Sequence, residues 1–248
     1  MTEAQPDKKK VIFIKGGKGG VGKTLAAISL ADFFHGAGVP VTLVDADTEN
    51  RARGSLSHVF KEAPKINIRS QHGLDDFVDL VVSGDAPLVL ADLGAGSGQD
   101  TFAWFNAMHE PLKEAGISFL AVGVITTEAA SIDSILDWAS ELKNRTDYLV
   151  VRNHRNGDNF RFLEASEAGQ RFLRVAKPKI IDLEQRLDDI QGELSNRGLS
   201  LRQALEADNE TLGPLLAKFS SKVRMRGYLT RIEAEFKKVT ETLLPPAA

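Results

Sequence analysis

Short apolar runs alternate with amphipathic segments over the first two thirds of the chain. The runs are rich in β-branched residues, are apolar at consecutive positions and end in glycines or polar residues, which is typical of strands buried on both faces. They lie at 11–15, 39–47, 87–96, 117–125 and 147–154, and a shorter run at 178–181 indicates a last strand.

The segments between the runs have the spacing of helices. Apolar residues of 22–38 recur at helical intervals before the glycines at 36 and 38, and 131–145 is amphipathic. Strands that alternate with helices predict an α/β fold, a mostly parallel twisted sheet with helices on both faces. Residues 184–244 are predicted to be mainly helical, with breaks near Gly198 and Gly213. We expect a single domain over 1–248, with a flexible N-terminus at 1–9 and a C-terminal helical segment at 213–244.

Polar residues follow several of the predicted strands. A glycine loop follows the first strand, Asp45 and Asp47 end the second, Asp92 ends the third, and Asn153 ends the fifth. Ligands of such sheets bind beyond the carboxyl ends of the strands. The sequence therefore predicts that these features converge on one edge of the sheet.

Composition excludes several classes of protein. The chain has 248 residues, a net charge of -3 and no cysteine, so disulfides, iron–sulfur clusters and thiolate zinc sites are excluded. No apolar run approaches the ~20 residues of a membrane span. The basic N-terminal segment is followed by only a short apolar run and is not a signal peptide. We expect a cytoplasmic protein that does not bind membranes.

Residues 17–24, GKGGVGKT, match the phosphate-loop pattern G-x-x-x-x-G-K-[ST] between a predicted strand and a predicted helix. The glycines let backbone N–H groups surround phosphate oxygens, Lys23 reaches the β- and γ-phosphates, and Thr24 places its hydroxyl on Mg²⁺. The alternative is a structural glycine turn. The pattern predicts a P-loop NTPase whose nucleotide contacts come from Gly17, Gly19, Gly20, Val21, Gly22, Lys23, Thr24 and Leu25.

Acidic residues complete the predicted site. Asp92 follows an apolar run and is the expected second ligand of Mg²⁺, although an aspartate here could instead cap a helix. We expect Asp45 and Asp47 to point to opposite sides of the strand end. We favour Asp47 for the γ-phosphate side, where it would touch the metal and orient or deprotonate the attacking water. The alternative is a surface acid at a strand end.

With Lys18 in KGGVGKT, followed by VTLVDADTEN and VLADLGAG, the sequence resembles the ParA/MinD family of deviant Walker ATPases. The resemblance is strong over 10–50, fair over 87–155 and weak beyond. It implies that Lys18, five positions before Lys23, reaches the nucleotide of a second subunit, so that ATP closes a homodimer. It also assigns catalysis to Asp47, metal binding to Asp92 and adenine recognition to Asn153, for which the alternative is a residue that caps a loop.

The sequence departs from the family pattern in three places. Leu25 replaces a second threonine, DADTEN replaces the usual switch sequence, and DLGAG is closer to the MinD and flagellar-placement type. The absence of cysteine excludes nitrogenase iron protein, iron–sulfur carriers and metal-inserting relatives. We expect these departures to affect which cargo the protein positions more than how it hydrolyses ATP.

The last helix carries two patterns. Its apolar positions predict packing on the protein's own core, with membrane or partner-helix contact as alternatives; they are Phe219, Val223, Leu229, Ile232, Phe236, Val239 and Leu243. Lys218, Lys222 and Arg226 recur every fourth residue, with Arg224 nearby, and predict sequence-independent DNA binding. The alternative is a solvated basic face.

We therefore expect a slow, Mg²⁺-dependent ATPase whose ATP-bound dimer positions plasmids, chromosomes or other cargo on DNA, with a small activator or adaptor protein as partner. Conjugal-transfer and MinD or flagellar-type positioning ATPases are alternatives. A P-loop small-molecule kinase would need a lid with several arginines, which Arg161, Arg171 and Arg174 could supply. A nucleotide sensor without hydrolysis is the remaining alternative.

Overall fold

The computed structural model describes residues 8–17, 19–47, 54–94 and 98–246. Within these ranges six strands form one parallel sheet in the order β2-β3-β1-β4-β5-β6. The strands are β1 (Lys9–Lys15), β2 (Val41–Ala46), β3 (Leu88–Leu93), β4 (Ile117–Ile125), β5 (Asp147–Asn153) and β6 (Lys179–Leu183). The α/β prediction is confirmed, and the short sixth strand extends two residues further than expected.

Helices cover both faces of this sheet. They are α1 (Lys23–Gly36), α2 (Leu56–Val59), α3 (Gln71–Ser83), α4 (Gly98–Glu114), α5 (Ala129–Leu142), α6 (Arg161–Ala165), α7 (Glu167–Val175), α8 (Asp188–Arg197), α9 (Leu201–Glu206), α10 (Asn209–Leu216), α11 (Phe219–Lys237) and α12 (Thr240–Leu243). The predicted breaks are confirmed. Gly198 ends α8 in the left-handed conformation, and Gly213 kinks α10 with φ 65°.

The core has one large layer on each face of the sheet. On β1, Val11 and Phe13 pack toward α3, α4 and α5, whereas Ile12 and Ile14 pack toward α1 and α11. This alternation explains why the strand is apolar at consecutive positions. The chain runs from β1 outward to β2, returns through β3, and then crosses to β4 on the other side of β1. The carboxyl end of β1 is therefore the switch point at which such sheets bind ligands.

The N-terminal prediction is wrong at one position. Lys9 already belongs to β1, and its ammonium donates to the carbonyl oxygens of Val81 at 3.0 Å and Val82 at 2.9 Å. These contacts tie the start of the strand to the end of α3. Residues 1–7 lie outside the described ranges.

The core-packing prediction for the last helix is wrong for Phe219 and Val223, which are 84% and 48% exposed. The buried side of α11 is formed by Ser221, Met225, Tyr228 and the predicted Ile232 and Phe236. These residues recur every third or fourth position, whereas Phe219 and Val223 lie on the opposite side of the helix. In the described part of the chain, no helix combines the length and the apolarity needed to cross a membrane.

Candidate functional site

A tight glycine loop joins β1 to α1. Gly20 and Gly22 have φ of 83° and 98°, a region that residues with a Cβ rarely adopt. A Cβ on Gly16 would lie 2.6 Å from Cγ2 of Val21, so the two ends of the loop almost touch. The backbone thus takes the close path that the sequence pattern predicts. Lys18 lies outside the described residues, and its role stays a prediction.

The loop places the uncapped N-terminus of α1 at the edge of the sheet. Gly22 is the N-cap of α1, none of the described side chains caps it, and the first turn contains no acidic residue. The first backbone N–H groups of such a helix need acceptors, and the helix dipole favours an anion there. A phosphate group suits both requirements.

Lys23 starts α1 and is 7% exposed. Its side chain folds back across the loop, since a Cβ on Gly16 would lie 3.1 Å from Cγ of Lys23. The lysine is therefore held against the strand end from which the loop departs. Lys23 also lines the cavity above the loop.

Asp92 lies beneath the loop near the end of β3 and is 1% exposed. Burial raises the pKa of its carboxyl group to about 7, opposed by a hydrogen bond from Thr24 and reinforced by the charge of Asp45. Its Oδ1 has no hydrogen-bond partner within the described residues. A buried carboxylate oxygen beside a threonine hydroxyl is a donor set that suits a hard cation such as Mg²⁺.

Asp45 and Asp47 point in different directions because β2 ends at Ala46; within a strand, residues two positions apart would share a face. Asp45 is buried and accepts hydrogen bonds from the backbone N–H and hydroxyl of Ser57 at 3.1 and 2.5 Å, with the ammonium of Lys65 at 3.6 Å. Asp47 instead lines the cavity above the loop. Asp45 therefore fastens the chain after β2, and Asp47 is the aspartate that faces the candidate ligand.

The loop, the strand ends and α8 enclose a cavity of about 760 Å³. A pocket of this size accommodates a ligand as large as a nucleotide. One wall carries the predicted residues Gly19, Gly20, Gly22, Lys23, Thr24, Leu25, Asp47 and Asn153. Arg155 also lies on the loop side, with its guanidinium 3.4 Å from the carbonyl oxygen of Gly20, and the opposite wall carries Gln185, Arg186, Asp188, Gln191, Gly192 and Ser195. The structure thus brings the predicted loop, acid and amide to one place.

Asn153 is buried and braces the loop. Its Nδ2 donates to the carbonyl oxygen of Val21 at 2.8 Å, and its Oδ1 accepts from the backbone N–H of Arg155 at 3.1 Å. It is thereby the N-cap of the short 3₁₀ turn that follows β5. The geometry is that of the loop-capping alternative, while adenine recognition by this amide stays a prediction.

The sequence analysis missed the opposite wall of the cavity. Arg186 is 8% exposed and donates to Oε1 of Gln191 and the hydroxyl of Ser29, both at 3.0 Å. Burial lowers the pKa of its guanidinium to about 10, and the nearby Asp32 opposes that shift. This arginine ties the segment after β6 to α1. Its only signal in the sequence is its place shortly after the predicted last strand.

Other predicted residues lie away from this cavity. Arg161, Arg171 and Arg174 do not line it, and Arg171 faces a separate groove between α5 and α7. The structure thus offers no arginine lid from this stretch.

The predicted DNA-binding residues lie on α11 and at its N-cap. Lys218, Arg224 and Arg226 are exposed, and Lys222 is half-buried with its ammonium 2.9 Å from Oδ1 of Asn209. The neighbouring Arg231 pairs with Glu184. The basic face exists as predicted, whereas its binding to DNA stays a prediction.

Metal binding by the protein alone is not indicated. No group of three or more histidine or acidic side chains among the described residues is arranged to hold a metal ion. Mg²⁺ at a phosphate site differs from such cages because it is held by one or two protein oxygens together with phosphate and water. Thr24 and Asp92 correspond to that arrangement.

Comparison with known proteins agrees with this geometry. Residues 12–237 match the model of the CobQ/CobB/MinD/ParA nucleotide binding domain. Protein MobD of Acidithiobacillus ferrooxidans is 26% identical over 154 residues, which are 62% of this chain and 67% of that protein.

Among solved structures, a nucleotide-binding protein in complex with ADP from Archaeoglobus fulgidus is 21% identical and covers 76% of this chain and 86% of its own, with a TM-score of 0.50. MinD cell division protein of Aquifex aeolicus is 19% identical and covers 92% and 97%, with a TM-score of 0.47. The fold, the loop geometry and the match over most of its length show that this chain belongs to the CobQ/CobB/MinD/ParA family of nucleotide-binding domains.

Proposed function

We propose that the chain is an ATPase that binds Mg·ATP in the cavity above the glycine loop and uses hydrolysis to time a dimeric state. The observation that carries the proposal is the buried Asp92, whose unpartnered Oδ1 and Thr24 contact lie directly under the loop. A buried carboxylate with an unpartnered oxygen is unfavourable unless a cation or a proton joins it.

The residues around the glycine loop have distinct roles in this proposal. Lys23 neutralises the β- and γ-phosphates, and the open N-terminus of α1 donates backbone N–H groups to phosphate oxygens. Thr24 and Asp92 hold Mg²⁺, which when bound offsets the charge that develops on the phosphates. Asp47 orients or deprotonates the attacking water.

The dimer rests on Lys18. Its spacing from Lys23 supports a contact with the nucleotide of a second subunit, and a lysine buried between subunits requires an anion such as phosphate. When the dimer closes, two copies of the basic residues of α11 can contact the same DNA. Binding of DNA phosphates by Lys218, Lys222, Arg224 and Arg226 then depends on ATP, because two weak contacts on one dimer bind more tightly than one.

Turnover and oligomeric state test the catalytic proposal. With Mg·ATP, the wild type should release phosphate slowly and double its mass in light scattering. Asp47→Ala should stop release and accumulate the dimer, and Lys18→Ala should bind nucleotide but stay monomeric. Asp85→Ala is the matched control, because this exposed aspartate precedes β3, at the other end of the sheet from the cavity. It should keep measurable turnover.

Two results would contradict the catalytic proposal. Undiminished hydrolysis in Asp47→Ala would move the catalytic role elsewhere. Nucleotide binding by the wild type without any phosphate release would favour the sensor that binds without hydrolysis.

The surface on which the dimer acts needs a separate test. ATP-dependent cosedimentation with non-specific duplex DNA and with anionic liposomes, each at two salt concentrations, compares the two surfaces. We expect salt-sensitive binding to DNA that Lys222→Ala with Arg226→Ala weakens. Arg231→Ala is the control, because this arginine is already paired with Glu184. Equal binding of wild type and double variant would remove DNA from the proposal.

A further inference from the structure

Lys15 is the last residue of β1 and directly precedes the glycine loop. Its side chain lies on the face of the sheet that α4 and α5 cover. The ammonium lies 4.5 Å from the ring centroid of Trp138 and 5.4 Å from that of Phe102. These two rings, which meet edge to face at 5.8 Å, hold the charge in a fixed place.

Among the described residues, no carboxylate forms an ion pair with the ammonium of Lys15, and Asp137 acts on it only at longer range. Burial lowers its pKa to about 8; Asp137 on α5 raises that pKa, and Lys23 on α1 lowers it. A largely buried ammonium without a carboxylate destabilises a folded protein, and two aromatic rings compensate only in part.

The glycine loop, where we expect phosphate to bind, lies next to Lys15. Gly16 separates Lys15 from the loop, and the side chain of Lys23 passes over that glycine, with Cγ 3.1 Å from the position a Cβ would take. The charge of Lys23 also opposes that of Lys15 and contributes to its lowered pKa. A polyphosphate bound at Lys23 would attract both charges, through an interior that screens them less than water does.

We propose that Lys15 is a second, buried cation of the phosphate site, held by Phe102 and Trp138 so that its charge strengthens nucleotide binding from beneath the loop. This inference rests on the proposed function, since it assigns a further binding determinant to the same site. In the unliganded protein the two rings and Asp137 compensate this charge only in part, and bound phosphates would add to that compensation. The residue acts through its field and does not need to touch the ligand.

Three variants separate charge from packing. Lys15→Met keeps the length of the side chain and removes the charge, whereas Lys15→Arg keeps the charge. Lys10→Met is the matched control, because Lys10 is a buried lysine near the opposite end of the same strand, where its ammonium bonds the carbonyl oxygen of Thr242 at 2.8 Å. Dissociation constants for ATP and ADP are measured by isothermal titration, with thermal unfolding of each unliganded variant.

We expect Lys15→Met to weaken ATP binding by about tenfold and ADP binding by less, since the triphosphate carries more charge. Lys10→Met should stay within about threefold of the wild type, and Lys15→Arg should bind ATP more tightly than Lys15→Met because it keeps the charge. Unliganded Lys15→Met should unfold at or above the wild-type temperature, because an unpaired buried charge is removed. Lys10→Met should unfold below it. A folded Lys15→Met that binds ATP like the wild type overturns the inference.

Proton linkage gives a second readout on the wild type itself. Bound phosphates favour the charged form of Lys15, so ATP binding should take up protons between pH 8 and 9, seen by titration in buffers of different ionisation enthalpy. Lys15→Met should lose that uptake, and an unchanged uptake would overturn the inference. A wild type that binds no nucleotide would refute the proposed function as well, whereas equal binding by wild type and Lys15→Met refutes only the role of Lys15.

Discussion

Replacing Gly22 by alanine tests how the glycine loop is held, and two costs can be worked from the structure. At φ 98° a Cβ is strained, which costs about 1–2 kcal/mol. The new Cβ would also lie 2.4 Å from Nδ2 of Asn153. That amide is buried and bonded to Val21, so moving it breaks a hydrogen bond and leaves buried polar groups unpaired, at about 1–3 kcal/mol. The expected loss of unfolding free energy is about 2–5 kcal/mol.

Gly20 provides the matched control for this substitution. Its φ of 83° imposes the same kind of strain, but a Cβ there would meet no atom within 4 Å. Gly20→Ala should therefore cost only about 1–2 kcal/mol. The comparison separates backbone strain from the contact with Asn153.

Urea unfolding of the unliganded protein, followed by circular dichroism, measures these costs. A double-mutant cycle with Asn153→Ala isolates the contact, because that background no longer contains the amide that the new Cβ would displace. The excess cost of Gly22→Ala over Gly20→Ala should disappear there. If Gly22→Ala costs no more than Gly20→Ala, or if its cost is unchanged in the Asn153→Ala background, Asn153 does not brace the loop.

Two further predictions concern stability. Burial raises the pKa of Asp92 to about 7, so its ionised form opposes folding, and stability falls as pH rises from the unfolded value near 4 through 7. Without Mg²⁺, Asp92→Asn should therefore be more stable than wild type at pH 8, by at most about 4 kcal/mol. This difference in unfolding free energy should shrink toward pH 5. Equal pH profiles of the two proteins in urea unfolding would refute the prediction. Phe219→Ser at 84% exposure should change stability by less than about 0.5 kcal/mol, whereas Phe236→Ala at 1% exposure should cost about 3–5 kcal/mol. Similar melting temperatures for these two variants would contradict the burial assigned to α11.

The sheet and the loop could be predicted because their signals are local. Strands apolar at consecutive positions require cover on both faces, and glycines followed by Lys23 and Thr24 allow few other conformations. Alternation alone would place Asp45 and Asp47 on one face, and they separate because β2 ends at Ala46. Only the structure shows why Asp45 turns away, since Ser57, its partner, lies twelve positions further along the chain.

The remaining features depend on contacts between distant segments. Asn153 and Val21 are 132 positions apart, and Arg186 and Ser29 are 157 apart. A pattern within one segment does not indicate such pairs. The sequence alone therefore leaves two roles for Asn153, recognition of adenine and capping of a loop. The prediction for Phe219 is wrong for a different reason. At about 3.6 residues per turn, Phe219 lies on the side of α11 opposite to Ile232 and Phe236, so these residues do not share one face.

Titration of Mg·ATP into the wild type and into Lys23→Ala tests the central claim, that the glycine loop is a nucleotide-phosphate site, most directly. The account predicts saturable micromolar binding by the wild type that weakens when Mg²⁺ is chelated. It also predicts a loss of more than roughly a hundredfold in Lys23→Ala, because a charge-assisted contact inside a buried site is removed. Micromolar binding retained by a folded Lys23→Ala variant would contradict the account.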